Sequence, residues 1–139
     1  MSWLEQNGLT LFFIFLAFLL IFKGPILARI FKIKNITVHE LAEMLGQKSP
    51  PLLVDVRSTA EFNQDGRVAQ AMLVPLGELS GRAGDIFKQN EHREVVAICR
   101  SGNRSTMGAV TLKRAGFATV YNVTGGMTNW QAQGYPVKK

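Results

Sequence analysis

Residues 95–106 read Val95-Val96-Ala97-Ile98-Cys99-Arg100-Ser101-Gly102-Asn103-Arg104-Ser105-Thr106. A β-branched apolar run ends in the only cysteine of the chain, and a short loop carrying a glycine and two arginines follows. The run Glu94–Ile98 has the length and composition of a buried strand, and Ser105–Ala115 has helical spacing with Gly116 as its stop. A strand that hands over to a helix through a glycine-bearing loop turns backbone amides and a helix N-terminus toward one point, which is an anion cradle. Gly102 permits the backbone conformation such a curl needs, and Arg100 and Arg104 add full positive charge. A thiol at the rim of that cradle is expected to be acidified and therefore nucleophilic, whereas an ordinary buried cysteine is inert.

The pattern outward from this segment alternates. Ile36-Thr37-Val38 reads as a short strand, and residues 39–45 as a helix with a Thr37/Glu40 capping box. Leu52–Val56 is a strand, and Ser58 with Glu61 forms a second capping box that opens a short helix. Ala71–Val74 is a strand. Leu76–Phe87 carries glycines at 77, 81 and 84, which weaken a helical reading. Ala118–Val123 is the last strand, and Gly125-Gly126 reads as a turn into a helix over 127–132 ended by Gly134. Strands alternating with helices predict an α/β fold, a mostly parallel sheet of about five strands with helices on both faces. Sites in such folds lie beyond the carboxyl ends of the strands, where Cys99 stands.

Ahead of this pattern, Leu9–Phe22 is an uncharged run of fourteen residues, about 21 Å of helix. Its flanks extend it: Trp3 to Lys23 covers about 30 Å, and both residue types anchor at membrane interfaces. No Lys or Arg precedes the run, and no small-x-small site follows it, so an uncleaved single span is expected in place of a cleaved signal. Lys23, Arg29, Lys32 and Lys34 all follow the span. The positive-inside rule then places the N-terminus outside and the rest in the cytoplasm. Pro25 is expected to end or kink the helix, and residues 26–31 to lie along the interface. The division expected is 1–34, an anchor with a basic juxtamembrane segment, and 35–139, one α/β domain.

Composition narrows the function classes. The 139 residues leave room for one modest core, and 47% hydrophobic with 19% charged residues excludes a disordered chain. Of the net charge of +6, half lies in residues 1–34, so the basic balance is partly a membrane-orientation signal. No basic stripe with interleaved aromatics points to nucleic acid. One cysteine excludes an internal disulfide and fits a reducing compartment. His39 and His92 lie in polar stretches and give no metal-ligand spacing, and no nucleotide-loop pattern is present, so neither metal nor cofactor is expected.

The chain resembles a single-domain rhodanese, a thiosulfate-type sulfurtransferase. The matching pieces are Leu53-Val54-Asp55-Val56-Arg57, Glu61-Phe62, Val74-Pro75, the loop Cys99–Ser105, Gly125-Gly126 and Trp130, in family order from Ile36 to Tyr135. With the helix ahead of it, the arrangement is similar to that of membrane-tethered bacterial rhodanese-like proteins, which implies the cell (inner) membrane of a bacterium. The resemblance implies that Cys99 accepts a sulfane sulfur as a persulfide and passes it to a thiophilic acceptor, a thiol or a cyanide-like group. It also implies that Arg100, Ser101, Gly102, Asn103, Arg104 and Ser105 bind a small anionic donor, and that Asp55, Arg57 and Glu61 support the loop. The family's Gly-His-Ile-x-Gly-Ala is replaced here by Gly66-Arg67-Val68-Ala69-Gln70-Ala71, a departure expected to alter the donor-pocket rim. Cysteine phosphatases of related design place an arginine six positions after the cysteine. Here Arg104 is five positions after Cys99, a tighter loop that suits a sulfur better than a phosphate. The rival expectation is a binding module at the membrane, docking a protein partner with vestigial catalysis.

Overall fold

In the computed structural model, which describes residues 2–139, the alternating pattern becomes six helices and five strands. In chain order these are α1 (Trp3–Ile30), β1 (Lys34–Ile36), α2 (Val38–Leu45), β2 (Leu52–Asp55) and α3 (Thr59–Gln64). Then follow β3 (Met72–Leu73), α4 (Leu76–Gln89), β4 (Val95–Ile98), α5 (Asn103–Ala115), β5 (Val120–Val123) and α6 (Gly126–Ala132). The strands form one fully parallel sheet in the order β1-β5-β4-β2-β3. The central strand β4 is buried along its whole length, as its β-branched run requires.

Successive strand residues face opposite sides, so the sheet feeds two cores. Val54, Val95, Ala97 and Val120 pack with α4 (Leu79, Ala83, Ile86) and α5 (Ala109, Val110, Leu112). Leu53, Val96, Ile98 and Val123 pack on the other face with Val38 and Leu41 of α2 and Met127 and Trp130 of α6. The α/β fold with a parallel five-stranded sheet covered on both faces is therefore as the sequence predicts.

Three local expectations are corrected. Residues 76–89 are a regular helix: Leu79, Ala83 and Ile86 form a buried stripe at helical spacing, and Gly77, Gly81 and Gly84 face open space. The glycines weaken this helix without interrupting it. Gly81→Ala is accordingly expected to stabilise the protein by about 0.5–1 kcal/mol, read as a shift of the denaturant midpoint with an unchanged slope. Second, β1 begins at Lys34 and ends at Ile36, because Thr37 is already the cap of α2; its hydroxyl accepts from the Glu40 amide, one half of the expected box.

Third, α1 does not end at Pro25 but runs through it to Ile30. Ala28 is buried in the first core, Leu27 and Phe31 pack against that core, and α1 lies on α5. This contact offsets the backbone hydrogen bond lost at the proline. From Ser2 to Lys23 the helix is exposed apart from the half-buried Asn7, although its residues are apolar enough to cross a membrane.

Candidate active site

The carboxyl end of β4 delivers Cys99 to the point where the chain connections diverge, with β5 on one side and β2 on the other. Cys99 is only 1% exposed and forms the floor of the loop that leads into α5. Gly102 caps the helix with φ +105, a left-handed conformation that glycine adopts without cost. Its amide donates to Cys99 Sγ at 3.1 Å. The first amide of α5 to find a partner in its own helix is that of Thr106, which donates to Gly102 O. The amides of Asn103, Arg104 and Ser105 are first-turn donors without such a partner, and they sit at the positive end of the helix dipole. Negative charge on sulfur 99, or on a sulfur attached to it, is therefore met by oriented N–H groups.

A second glycine pair holds this loop from below. After β5, Gly125 and Gly126 adopt φ +76 and +52, and the first turn of α6 comes up under the loop. The Met127 amide donates to Cys99 O at 2.8 Å and the Thr128 amide to Arg100 O at 3.0 Å. A Cβ on Gly126 would lie 2.2 Å from Cys99 O. Gly125-Gly126 is thus more than the turn read from the sequence: it is the seat of the active loop. Two glycines directly after a strand that neighbours the cysteine strand are the signal that points to so close a backbone approach.

The supporting residues separate into two ion pairs. Asp55 and Arg57 are buried together, with Arg57 Nη2 2.8 Å from Asp55 Oδ2 and Nε bonded to both carboxylate oxygens. The same Nη2 donates to Gly66 O at 2.9 Å. The departed 66–71 segment is held in this way, and also by Arg67, which exchanges backbone hydrogen bonds with Lys138. Arg57 thereby ties the end of β2 to that segment.

Glu61 and Arg104 make the second pair, from Nη1 to Oε1 at 2.6 Å and from Nη2 to Oε2 at 2.8 Å. The Arg104 fork ties the first turn of α5 to α3, whose start is fixed by a complete Ser58/Glu61 capping box. Arg104 is not a free cation awaiting a donor anion; its charge is already met by a carboxylate. The exposed guanidinium at the loop is that of Arg100. Ser101 and Asn103 are also exposed. Ser105 is fully buried, and its hydroxyl donates to Asn122 Oδ1 of β5, so its side chain braces α5 against the sheet. Beside the loop lies a cavity of about 470 Å³ lined by Arg57, Arg100 and Lys139 with Asp65, Thr128 and Gln131 among the polar groups.

The hydrogen bond from Arg104 lowers the Glu61 carboxyl from 4.5 to about 2, against the opposing effect of burial, with the Ser58 amide assisting. The same bond raises the Arg104 guanidinium above its ordinary value. A carboxyl lowered in the folded state contributes stability that is complete above about pH 4.5 and lost as the pH falls toward 2. Arg104 is 40% exposed, so solvent screens the pair and its contribution is modest. Glu61→Gln is expected to flatten the loss of thermal stability over that acid range and to leave the melting temperature at pH 7 little changed. Melts at stepped pH check this.

A parallel α/β sheet with one cysteine at the end of its central strand, under a loop of unpaired amides, defines the cysteine-loop class of small domains. The rhodanese-like domain model matches residues 37–133, and the chain belongs to that family. A sulfurtransferase of Allochromatium vinosum is 33% identical over 105 residues, which cover 76% of this chain and 94% of the relative. The Bacillus subtilis protein YrkF is 40% identical over 78 residues, and there the chain spans only 40% of the relative's length. Among solved structures, a rhodanese-like domain protein of Staphylococcus aureus superposes with a TM-score of 0.61 at 30% identity. That match covers 77% of this chain and all of the other. Relatives named as sulfurtransferases support sulfur transfer as the general activity.

Proposed function

We propose that the chain is a membrane-anchored sulfurtransferase that carries sulfur on Cys99. The observation that supports this reading above all others is the hydrogen bond from the Gly102 amide to Cys99 Sγ, at the mouth of a helix whose first-turn amides are unpaired. Cys99 thiolate attacks the outer sulfur of a thiosulfate-like donor; the Cys99 S–S bond forms, the donor S–S bond breaks, and sulfite leaves with the electron pair of the broken bond. The persulfide's terminal sulfur, now anionic, lies among the loop amides, which stabilise it without a side-chain cation. A thiol or cyanide-like acceptor then takes the outer sulfur and Cys99 leaves as thiolate. Arg100 and the cationic cavity beside the loop attract the donor anion. Gly102, Asn103, Arg104 and Ser105 supply backbone amides, Ser101 stands at the rim, and Asp55, Arg57 and Glu61 hold the surroundings in place.

In this reading residues 1–34 form the anchor and its basic continuation, and residues 35–139 the rhodanese-like domain. With Lys23, Arg29, Lys32 and Lys34 all after the span, the proposed orientation has the domain on the cytoplasmic side of the inner membrane. A membrane-docking module without chemistry is the rival, motivated by the altered 66–71 segment. The two are told apart by Cys99→Ser: loss of sulfur transfer from thiosulfate with unchanged folding supports the enzyme, and unchanged transfer excludes it.

A further inference from the structure

Among the described residues, two pairs of polar side chains are buried: Asp55 with Arg57, and Ser105 with Asn122. The second pair stands in a layer that is otherwise apolar. Asn122 lies on the face of β5 that also presents Val120, between its partners in register, Ala97 of β4 and Asn35 of β1. Val120 and Ala97 belong there to the core that α5 completes with Ala109, Val110 and Leu112. Burying an amide and a hydroxyl in such a layer gains little over an apolar pair, because each hydrogen bond made in the core replaces one made to water. What the pair holds in place explains it better than what it adds to stability.

It holds the first turn of α5. Asn122 Oδ1 accepts from the Ser105 hydroxyl, and Asn122 Nδ2 donates to Asn35 Oδ1 at 3.1 Å and to Thr106 Oγ1 at 3.3 Å. Thr106 Oγ1 in turn donates its own proton to Gly102 O at 2.8 Å, the same oxygen that accepts from the Thr106 amide. The bonds run in one direction, from Asn122 through Thr106 to the Gly102 carbonyl, and each polarises the next. Gly102 O and the Asn103 amide belong to one planar trans peptide unit, so they point opposite ways. Drawing that carbonyl down into the helix turns the Asn103 N–H out of the helix N-terminus, toward the loop in which the Gly102 amide donates to Cys99 Sγ. Through the Ser105 hydroxyl, Asn122 also pins the residue that carries a second first-turn amide.

We infer that Asn122 is a positioning residue for sulfur transfer: it touches neither donor nor acceptor, and it aims the Asn103 and Ser105 amides at the sulfur on Cys99. This rests on the sulfurtransferase reading above and adds to it a residue on a different strand. Negative charge develops on the outer sulfur as sulfite leaves, and on sulfur 99 as the acceptor takes the outer sulfur away. Amides fixed in advance meet both charges without reorganising. A loosened first turn must gather them at each step, so the cost falls on the reaction and not on the binding of the donor.

The test uses the full chain in detergent, with thiosulfate as donor and cyanide as acceptor. Asn122→Ala is expected to lower kcat about tenfold with the KM for thiosulfate unchanged, because attraction of the donor belongs to Arg100 and the cavity beside the loop. Thr106→Val removes the hydroxyl but keeps a methyl toward Gly24 of α1, and it is expected to lower kcat several-fold. Thr106→Ser, which has the hydroxyl without the methyl, is expected to recover most of that loss. Asn122→Ala combined with Thr106→Val is expected to be no slower than Asn122→Ala alone, since one acts through the other. Full kcat in Thr106→Val, a Thr106→Ser protein as slow as Thr106→Val, losses that multiply in the double variant, or a loss confined to KM overturns the inference and leaves sulfur transfer standing. Where Asn122→Ala does not fold, the contrast between the two Thr106 variants decides by itself. A wild-type protein that transfers no sulfur to cyanide refutes the sulfurtransferase reading and this inference with it.

Discussion

Gly126→Ala is expected to cut sulfur transfer by about 100-fold and to destabilise the fold by about 2–4 kcal/mol, although the residue touches no substrate. Two effects combine. A φ of +52 is strained for any residue with a Cβ, and the added carbon would stand 2.2 Å from Cys99 O and 2.8 Å from Arg100 O. Both neighbours are backbone atoms of the active loop and cannot rotate away. Either the loop rises or the first turn of α6 withdraws, and in both cases the bonds from the Met127 and Thr128 amides to those carbonyls are lengthened. A displacement of the reacting sulfur by about 1 Å accounts for a loss of that size. Gly134→Ala is the control, since φ there is +80 and a Cβ would meet nothing within 4 Å. It carries the same kind of strain and is expected to cost about 1–2 kcal/mol with transfer unchanged. Steady-state assays and denaturant titrations on the two proteins separate strain from displacement of the loop.

Arg57→Met is expected to have the largest effect on stability, about 3–5 kcal/mol. Asp55 and Arg57 are 0% and 2% exposed, so removing the guanidinium strands a carboxylate in the core and also leaves Gly66 O without its donor. Replacing both members by apolar residues of similar volume is expected to recover much of the loss, because the buried charge then disappears with its partner. The pair organises the end of β2 and the 66–71 segment, and it is not a large stabiliser when measured against a well-packed apolar substitute. Urea unfolding of the single and double variants in detergent checks the non-additivity.

Much of this arrangement could be read from residues alone, because the decisive segments agree at several levels at once. Val95–Ile98 is apolar, β-branched and of strand length, Ser105–Ala115 has helical spacing with a glycine stop, and the cysteine falls at the joint between them. The Ser58/Glu61 box is legible because capping is local chemistry. What escaped depends on contacts distant in sequence. Helix α4 was obscured by three glycines whose cost is outweighed by burial of Leu79, Ala83 and Ile86. Pro25 is a helix breaker in isolation, yet residues on both sides of it stay helical once Ala28 is buried in the first core and Leu27 packs against that core. Arg104 reads as a free cation until the fold brings Glu61 alongside it, and Gly125-Gly126 reads as a turn until Cys99 O is placed above it. In each case the local signal was correct and a tertiary partner changed its meaning.

The central claim is that sulfur 99 carries the transferred atom. Mass spectrometry of the intact, full-length protein after incubation with thiosulfate tests it most directly. The account predicts a mass gain of one sulfur atom, located on the peptide that contains Cys99, discharged by cyanide and absent from Cys99→Ser. A folded protein that gains no mass under these conditions, or gains it equally without the cysteine, contradicts it.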